Sequence, residues 1–229
     1  MTTFVLLHGA YQGGWIWNPV AERLRAQGHL VFAPTLDGCA ERKHGIRAGI
    51  TTETHAEEVA ALLFYDDLKD VVLVGTSTGG MVMARAAELA RERVARVVFA
   101  DALALFAGEA VPDIVKRPTA VNTELTTGPS RQDFETRLFA DLDPATRAWA
   151  IERCTPHPIA PLTQPVKVLR FWSQPWNASV IWCRKSTNPP VAHQRRACET
   201  LKGRWHELDT GHYPMLSEPE ALAKLIVEG

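Results

Sequence analysis

The 229-residue chain lacks any apolar run approaching the roughly 20 residues that a membrane-spanning helix requires, so a helical integral membrane protein is excluded. It lacks a dominant charge. Lys and Arg number 25 against 26 Asp and Glu, a formal net charge of −1, which offers neither nucleic acid nor an anionic membrane an electrostatic foothold. Only four cysteines occur, Cys39, Cys154, Cys183 and Cys198. They lie far apart with no CxxC pair and read as free thiols, not as a disulfide frame or zinc site. No basic stretch precedes the apolar run around Phe4, so no signal peptide is expected, and the expected location is cytoplasmic. The last gap is local: between Ser173 and Ala197 there is not one Asp or Glu.

What is present suits a soluble protein of one domain, residues 1–229, with 46% apolar and 22% charged residues. The chain is organised around Val71-Val72-Leu73-Val74, Gly75-Thr76-Ser77-Thr78-Gly79, and the apolar, Ala-rich run that follows. A buried strand, a Gly-x-Ser-x-Gly turn and a helix in succession hold a serine at the tip of a sheet. The turn is too tight for side chains two residues either side of that serine.

Before this elbow, Thr3-Phe4-Val5-Leu6-Leu7 and Leu30-Val31-Phe32-Ala33 read as strands, and residues 15–27 as a helix stopped by Gly28. Residues 37–49 read as a loop whose Arg42, Lys43 and Arg47 are solvated. Thr51-x-x-Thr54 opens a helix to about Asp66. A fourth strand, 94–100, ends at Asp101. Short loops between alternating strands and helices predict a mostly parallel sheet with helices on both faces. The alternation breaks over residues 103–174, where prolines recur. Helices are expected there at 133–142 and 144–154, and a short strand at 166–172. This insertion, after the strand ending at Asp101, is expected to form a cap. Alternation then resumes with a strand at 179–183, a helix at 191–201 and a strand at 204–208. A loop through Gly211-His212 leads to a final helix with Ser217 at its cap.

A serine hydroxyl needs an adjacent base to act as a nucleophile near neutral pH. Of eight histidines, His212 is the best placed, in a glycine-containing loop after the last strand, where it can reach back over the sheet's C-terminal edge. His8 ends the first strand and is expected to shape its turn.

Together, His8-Gly9-Ala10, the elbow at Ser77 and Gly211-His212 resemble the α/β-hydrolase superfamily. His8-Gly9-Ala10-x-x-Gly13-Gly14-Trp15-x-Trp17 resembles the clade of plant methylesterases and hydroxynitrile lyases with their bacterial relatives. The resemblance implies an α/β-hydrolase fold, Ser77 as nucleophile, His212 as general base, and an oxyanion hole from the backbone N–H groups of Ala10 and Thr78. The lyases carry a lysine after the catalytic histidine; here Tyr213 stands there, which argues against cyanohydrin chemistry. The clade's acid position falls on Ser186, inside the carboxylate-free stretch. Some α/β-hydrolases carry their acid instead after the strand that follows the elbow helix. Asp101, 24 residues beyond Ser77, occupies that place. Its alternative role is to cap the next segment, and Asp209 and Glu207 are weaker rivals.

Seven tryptophans are present. Trp149, Trp172 and Trp176 fall in the expected cap, with Phe106 and Phe139, and are expected to line an apolar pocket over Ser77. Ordinary packing is the alternative for each. Trp15 and Trp17 are expected to pack, one of them near the pocket floor.

The leading expectation is a serine hydrolase that cleaves a small, largely apolar or aromatic carboxylic ester, or an activated amide or carbamate, through an acyl-enzyme on Ser77. No metal or organic cofactor is implied, and the expected partner is a small-molecule substrate; a homodimer is compatible. Two other readings stay open. One is a cofactor-free ring-cleaving dioxygenase using His212–Asp101 as base, and the other is a non-catalytic small-molecule receptor.

Overall fold

The computed structural model describes residues 1–116 and 120–229. The chain runs through β1 (Thr3–Leu7), α1 (Asn18–Ala26), β2 (Leu30–Phe32), α2 (Thr52–Tyr65), β3 (Val71–Ser77), α3 (Gly79–Leu89) and β4 (Val94–Ala102). An insertion follows, with α4 (Val111–Ile114), β5 (Ala120–Asn122), β6 (Thr126–Pro129), α5 (Arg131–Asp133), α6 (Pro144–Arg153) and β7 (His157–Pro158). The chain then returns through β8 (Asn177–Cys183), α7 (Val191–Leu201), β9 (Arg204–Leu208), α8 (Pro214–Ser217) and α9 (Pro219–Glu228).

Six parallel strands form the main sheet in the order β2-β1-β3-β4-β8-β9. Helices pack against this sheet, so its central strands are buried throughout: Val71, Leu73 and Val74 are fully enclosed, as are Val5, Leu6 and Leu7 beside them. This is why those strands read as continuous apolar runs rather than as alternating ones. The start of α2 is fixed by a reciprocal cap: Thr51 Oγ1 accepts from Thr54 N–H, and Thr51 N–H donates to Thr54 Oγ1. Among the described residues, no helix is long and apolar enough to cross a membrane.

Several expectations are corrected. Residues 37–49 are not all loop, because Ala40–Gly45 forms a 3₁₀ helix. Arg42, Lys43 and Arg47 are exposed, as expected; Arg42 also pairs with Glu58, and Arg47 with Asp37 at 2.7 Å. Residues 166–172 form no strand. Val166 and Val168 are buried, which explains the alternating pattern. The amides of Arg170 and Phe171, however, donate to Glu88 Oε2 on α3, both at 3.1 Å, instead of to a neighbouring strand. The helix expected at 133–142 is shorter, α5 passing into a π-helical turn, Phe134–Leu138. Ser217 ends α8 instead of capping the final helix. Its hydroxyl meets Thr210 Oγ1 at 2.6 Å, and Glu218 takes the cap position of α9. The insertion also contains a small antiparallel sheet, β5-β6-β7, that sequence reasoning missed.

Two of the buried histidines, His8 and His193, are expected to make the fold acid-sensitive. His8 is fully buried; its Nδ1–H donates to Gly9 O at 2.8 Å, so its Nε2 is free to accept Leu36 N–H at 3.0 Å. His193 Nε2 accepts Ala104 N–H at 2.9 Å. Both rings must be neutral to accept, and burial pushes each from the ordinary 6.5 down to about 4. The unfolded chain then binds more protons than the native one between those values. The stability contributed by neutral burial is therefore present above pH 6.5 and lost as pH falls through 4, about 3 kcal/mol for each ring. Urea midpoints measured from pH 7.5 to 4 are expected to fall steeply below about pH 6.5. The His8→Gln and His193→Gln variants should each flatten that fall, and a profile that is level over this range would contradict this account.

Candidate active site

Ser77 ends β3 in the left-handed region, with φ +50. The turn around it is closed by near-contacts of backbone. A Cβ on Gly75 would lie 2.6 Å from Gly79 O, and a Cβ on Gly79 would lie 2.4 Å from Leu7 O. Only glycine fits at both positions, which is the physical content of the Gly-x-Ser-x-Gly spacing. A bulge between Thr76 and Ser77 shifts the register so that Ser77 pairs with Ala102 of β4.

That shift places the end of β4 beside the serine. Asp101 is fully buried and also left-handed, φ +47. Strained φ values at non-glycine residues concentrate at functional sites. Among the described residues, Tyr11, Ser77 and Asp101 are three that carry one and that meet at this site. Asp101 Oδ2 accepts from His212 Nδ1 at 2.6 Å. Its Oδ1 accepts from Gln194 Nε2 at 2.8 Å and from Cys183 N–H at 3.3 Å. With its Nδ1–H given to Asp101, the neutral His212 ring keeps Nε2 free to accept a proton. Ser77 and His212 line one cavity of about 370 Å³. No hydrogen bond of Ser77 Oγ is formed among the described residues; such contacts commonly tighten only with substrate bound. Ala10 and Thr78 line the same cavity.

The rival acids lie elsewhere. Asp209 is exposed and pairs with Arg184 and Lys185 at 3.4 and 3.3 Å. Glu207 accepts Trp205 Nε1–H at 2.8 Å. Ser186 lines the cavity and donates to Asn188 O at 3.1 Å.

The aromatic pocket expected from the insertion is corrected. None of Trp149, Trp172, Trp176, Phe106 and Phe139 lines the cavity. Trp149 packs edge-on against Trp15, with centroids 5.3 Å apart. Trp172 sits between Phe99 and Phe106, and its Nε1–H donates to Leu105 O at 3.0 Å. Trp176 stacks on Phe171 at 5.0 Å, under the guanidinium of Arg91. Trp172, with Phe171, packs the return leg of the insertion on Phe99 of β4, and packing is the role of these rings. Trp15 and Trp17 also stay outside the cavity wall, Trp17 being fully buried in the core. The aromatic residues that do face the cavity are Tyr11 and Tyr213. Leu103, Val111, Leu138 and Leu162 add apolar surface, and the loop after β8, residues 185–189, adds a polar wall. In the sequence that loop stands out only as the empty acid position at Ser186, although it leaves a strand's C-terminal end, where such sheets bind ligands. From the insertion, Asp141 Oδ2 accepts Gly211 N–H at 3.0 Å, next to His212.

A parallel sheet, a left-handed serine at a glycine-flanked elbow and a histidine bonded to a buried carboxylate define the α/β-hydrolase class. Residues 4–225 match the model of the alpha/beta hydrolase family, and the chain belongs to it. A carbendazim hydrolyzing esterase of Nocardioides sp. is 31% identical over 72% of this chain and 73% of its own length. Methylesterase 3 of Arabidopsis thaliana is 27% identical over 98% of this chain and 94% of its own. Among solved structures, an extracellular alpha/beta-hydrolase from a Paenibacillus species superposes with a TM-score of 0.86 at 24% identity. It covers 100% of this chain and 98% of that one.

Proposed function

We propose that the protein is a serine esterase that cleaves a small carboxylic ester, or an activated amide or carbamate, through an acyl-enzyme on Ser77. The observation that carries this reading is the 2.6 Å bond from His212 to buried Asp101, beside Ser77 on the wall of one cavity. Ser77 Oγ attacks the substrate carbonyl while His212 Nε2 takes its proton. The resulting oxyanion is held by the N–H groups of Ala10 and Thr78, the second at the start of α3, where the helix dipole favours negative charge. Collapse breaks the bond to the leaving group, which departs with the proton from His212. A water molecule, deprotonated by the same nitrogen, then attacks the acyl carbonyl, frees the acid and restores Ser77.

The cavity volume suits a small molecule. The relatives named as methylesterase and as carbendazim hydrolyzing esterase support an ester or carbamate with a small alcohol portion. The lining is more mixed than the apolar aromatic pocket expected from sequence: Leu103, Val111 and Leu162 suit an apolar acyl or ring group, and the polar loop suits a hydrogen-bonding end. In this reading the insertion, residues 103–174, acts as the cap that supplies the cavity's roof.

The test is to mix the protein with a p-nitrophenyl ester, quench in acid within the first turnover and weigh the intact chain. One acyl group is expected, and digestion should place it on the peptide containing Ser77. Turnover without an adduct, or an adduct on another residue, sinks the reading.

A further inference from the structure

Only one oxygen of Asp101 meets His212, and a carboxylate turns freely about its Cβ–Cγ bond unless the other oxygen is held. The holder is Gln194, in the first turn of α7 and 1% exposed. Its Nε2 donates to Asp101 Oδ1 at 2.8 Å and to Pro189 O at 3.1 Å. Its own Oε1 is buried and makes no hydrogen bond among the described residues. A buried acceptor left without a donor is costly. The reversed orientation would be worse, because Oε1 would then face two acceptors, the Asp101 carboxylate and the Pro189 carbonyl. The amide therefore points one way, and Asp101 receives its donor at the expense of an unpaired oxygen. The other donor to Oδ1, the Cys183 amide, is longer at 3.3 Å.

We propose that Gln194 is a positioning residue for hydrolysis: it fixes the rotation of the Asp101 carboxylate so that Oδ2 stays on His212 Nδ1. The inference rests on the reading of Ser77, His212 and Asp101 as the hydrolytic machinery. Through Pro189 O, the same amide ties the acid to the 185–189 loop of the cavity wall.

The experiment compares wild type with Q194M, D101N and the double variant, using steady-state hydrolysis of a p-nitrophenyl ester. Methionine keeps the length of glutamine and removes both the donor and the orphaned oxygen, so the fold should tolerate it. Q194M is expected to lower kcat about tenfold to a hundredfold, the size of loss that removal of an outer hydrogen-bond partner causes at metal sites. KM should stay within about threefold, and Q194M should cause no further loss in the D101N background. Equal losses in both backgrounds, a rise in KM with kcat intact, or wild-type rates in Q194M would overturn the proposal. If D101N itself retains wild-type kcat, the hydrolytic reading fails and this proposal fails with it. If D101N is inactive and Q194M is not, this proposal fails alone. Q194E provides a second readout independent of Q194M folding. Its carboxyl must share a proton with Asp101, so kcat/KM should fall on an alkaline limb that wild type lacks, as that proton is lost. An unchanged profile would count against the proposal.

Discussion

Replacing Ser77 with alanine is expected to reduce ester hydrolysis by on the order of 10⁵- to 10⁶-fold, leaving only the small rate supported by binding and the oxyanion donors. The large effect follows from the chemistry: without Oγ there is no atom to carry the acyl group, and His212 can only direct water at the ester. The fold should survive. Ser77 Oγ makes no hydrogen bond among the described residues, and what the position demands of the backbone is its left-handed φ, a strain that alanine shares with serine. Matched melting temperatures for wild type and S77A would make the kinetic loss a catalytic one. The same variant separates the rival readings. In a cofactor-free oxygenase, where His212 and Asp101 act as base, S77A would keep much of its turnover. A receptor would bind ligand with either residue and show no multiple turnover in wild type. Retained hydrolysis in S77A would remove the serine mechanism.

The second large effect is expected at Asp101. D101N should lower kcat by about 10⁴-fold, and the direction follows from the donors around the carboxylate. Gln194 Nε2 and Cys183 N–H both point at Oδ1. An asparagine must therefore turn its oxygen towards them and its NH₂ towards His212. The ring then accepts at Nδ1 and carries its proton on Nε2, the tautomer that cannot take a proton from Ser77. Asp209→Asn is the control. Its side chain is exposed and paired with Arg184 and Lys185, so kcat should remain within about threefold of wild type. Reversed effects at the two positions would move the acid to Asp209.

Much of this architecture is legible in the sequence. β1 and α7 lie where the apolar patterns place them, because a strand buried on both faces and a one-sided helix leave opposite signatures. The insertion is not legible. β5, β6 and β7 are two to four residues long, and β7 joins from the far side of α6, so no local period reveals them. The buried Val166 and Val168 imitate a strand, but the Val166 amide donates to Glu109 O and those of Arg170 and Phe171 to a glutamate on α3. At the site, Ser77 follows from the glycines that a tight turn requires, and His212 from its loop at the strand ends. Asp101 follows from a gap, the missing carboxylate near Ser186. The walls do not follow. Tryptophans can be counted from sequence, but which side of a seam each faces depends on contacts between distant segments. Gln194 and Asp101 are 93 residues apart, and nothing in either neighbourhood announces the other.

With nucleophile and acid on adjacent strands, the loop after β8 is released from chemistry in the proposed mechanism, yet it still supplies Lys185, Ser186, Thr187 and Asn188 to the cavity wall. In that mechanism, reaction and recognition are divided between separate parts of the chain. The same proposal leaves substrate preference open to diversification at four neighbouring codons, with the proposed bond-breaking centre untouched on β3, β4 and the His212 loop.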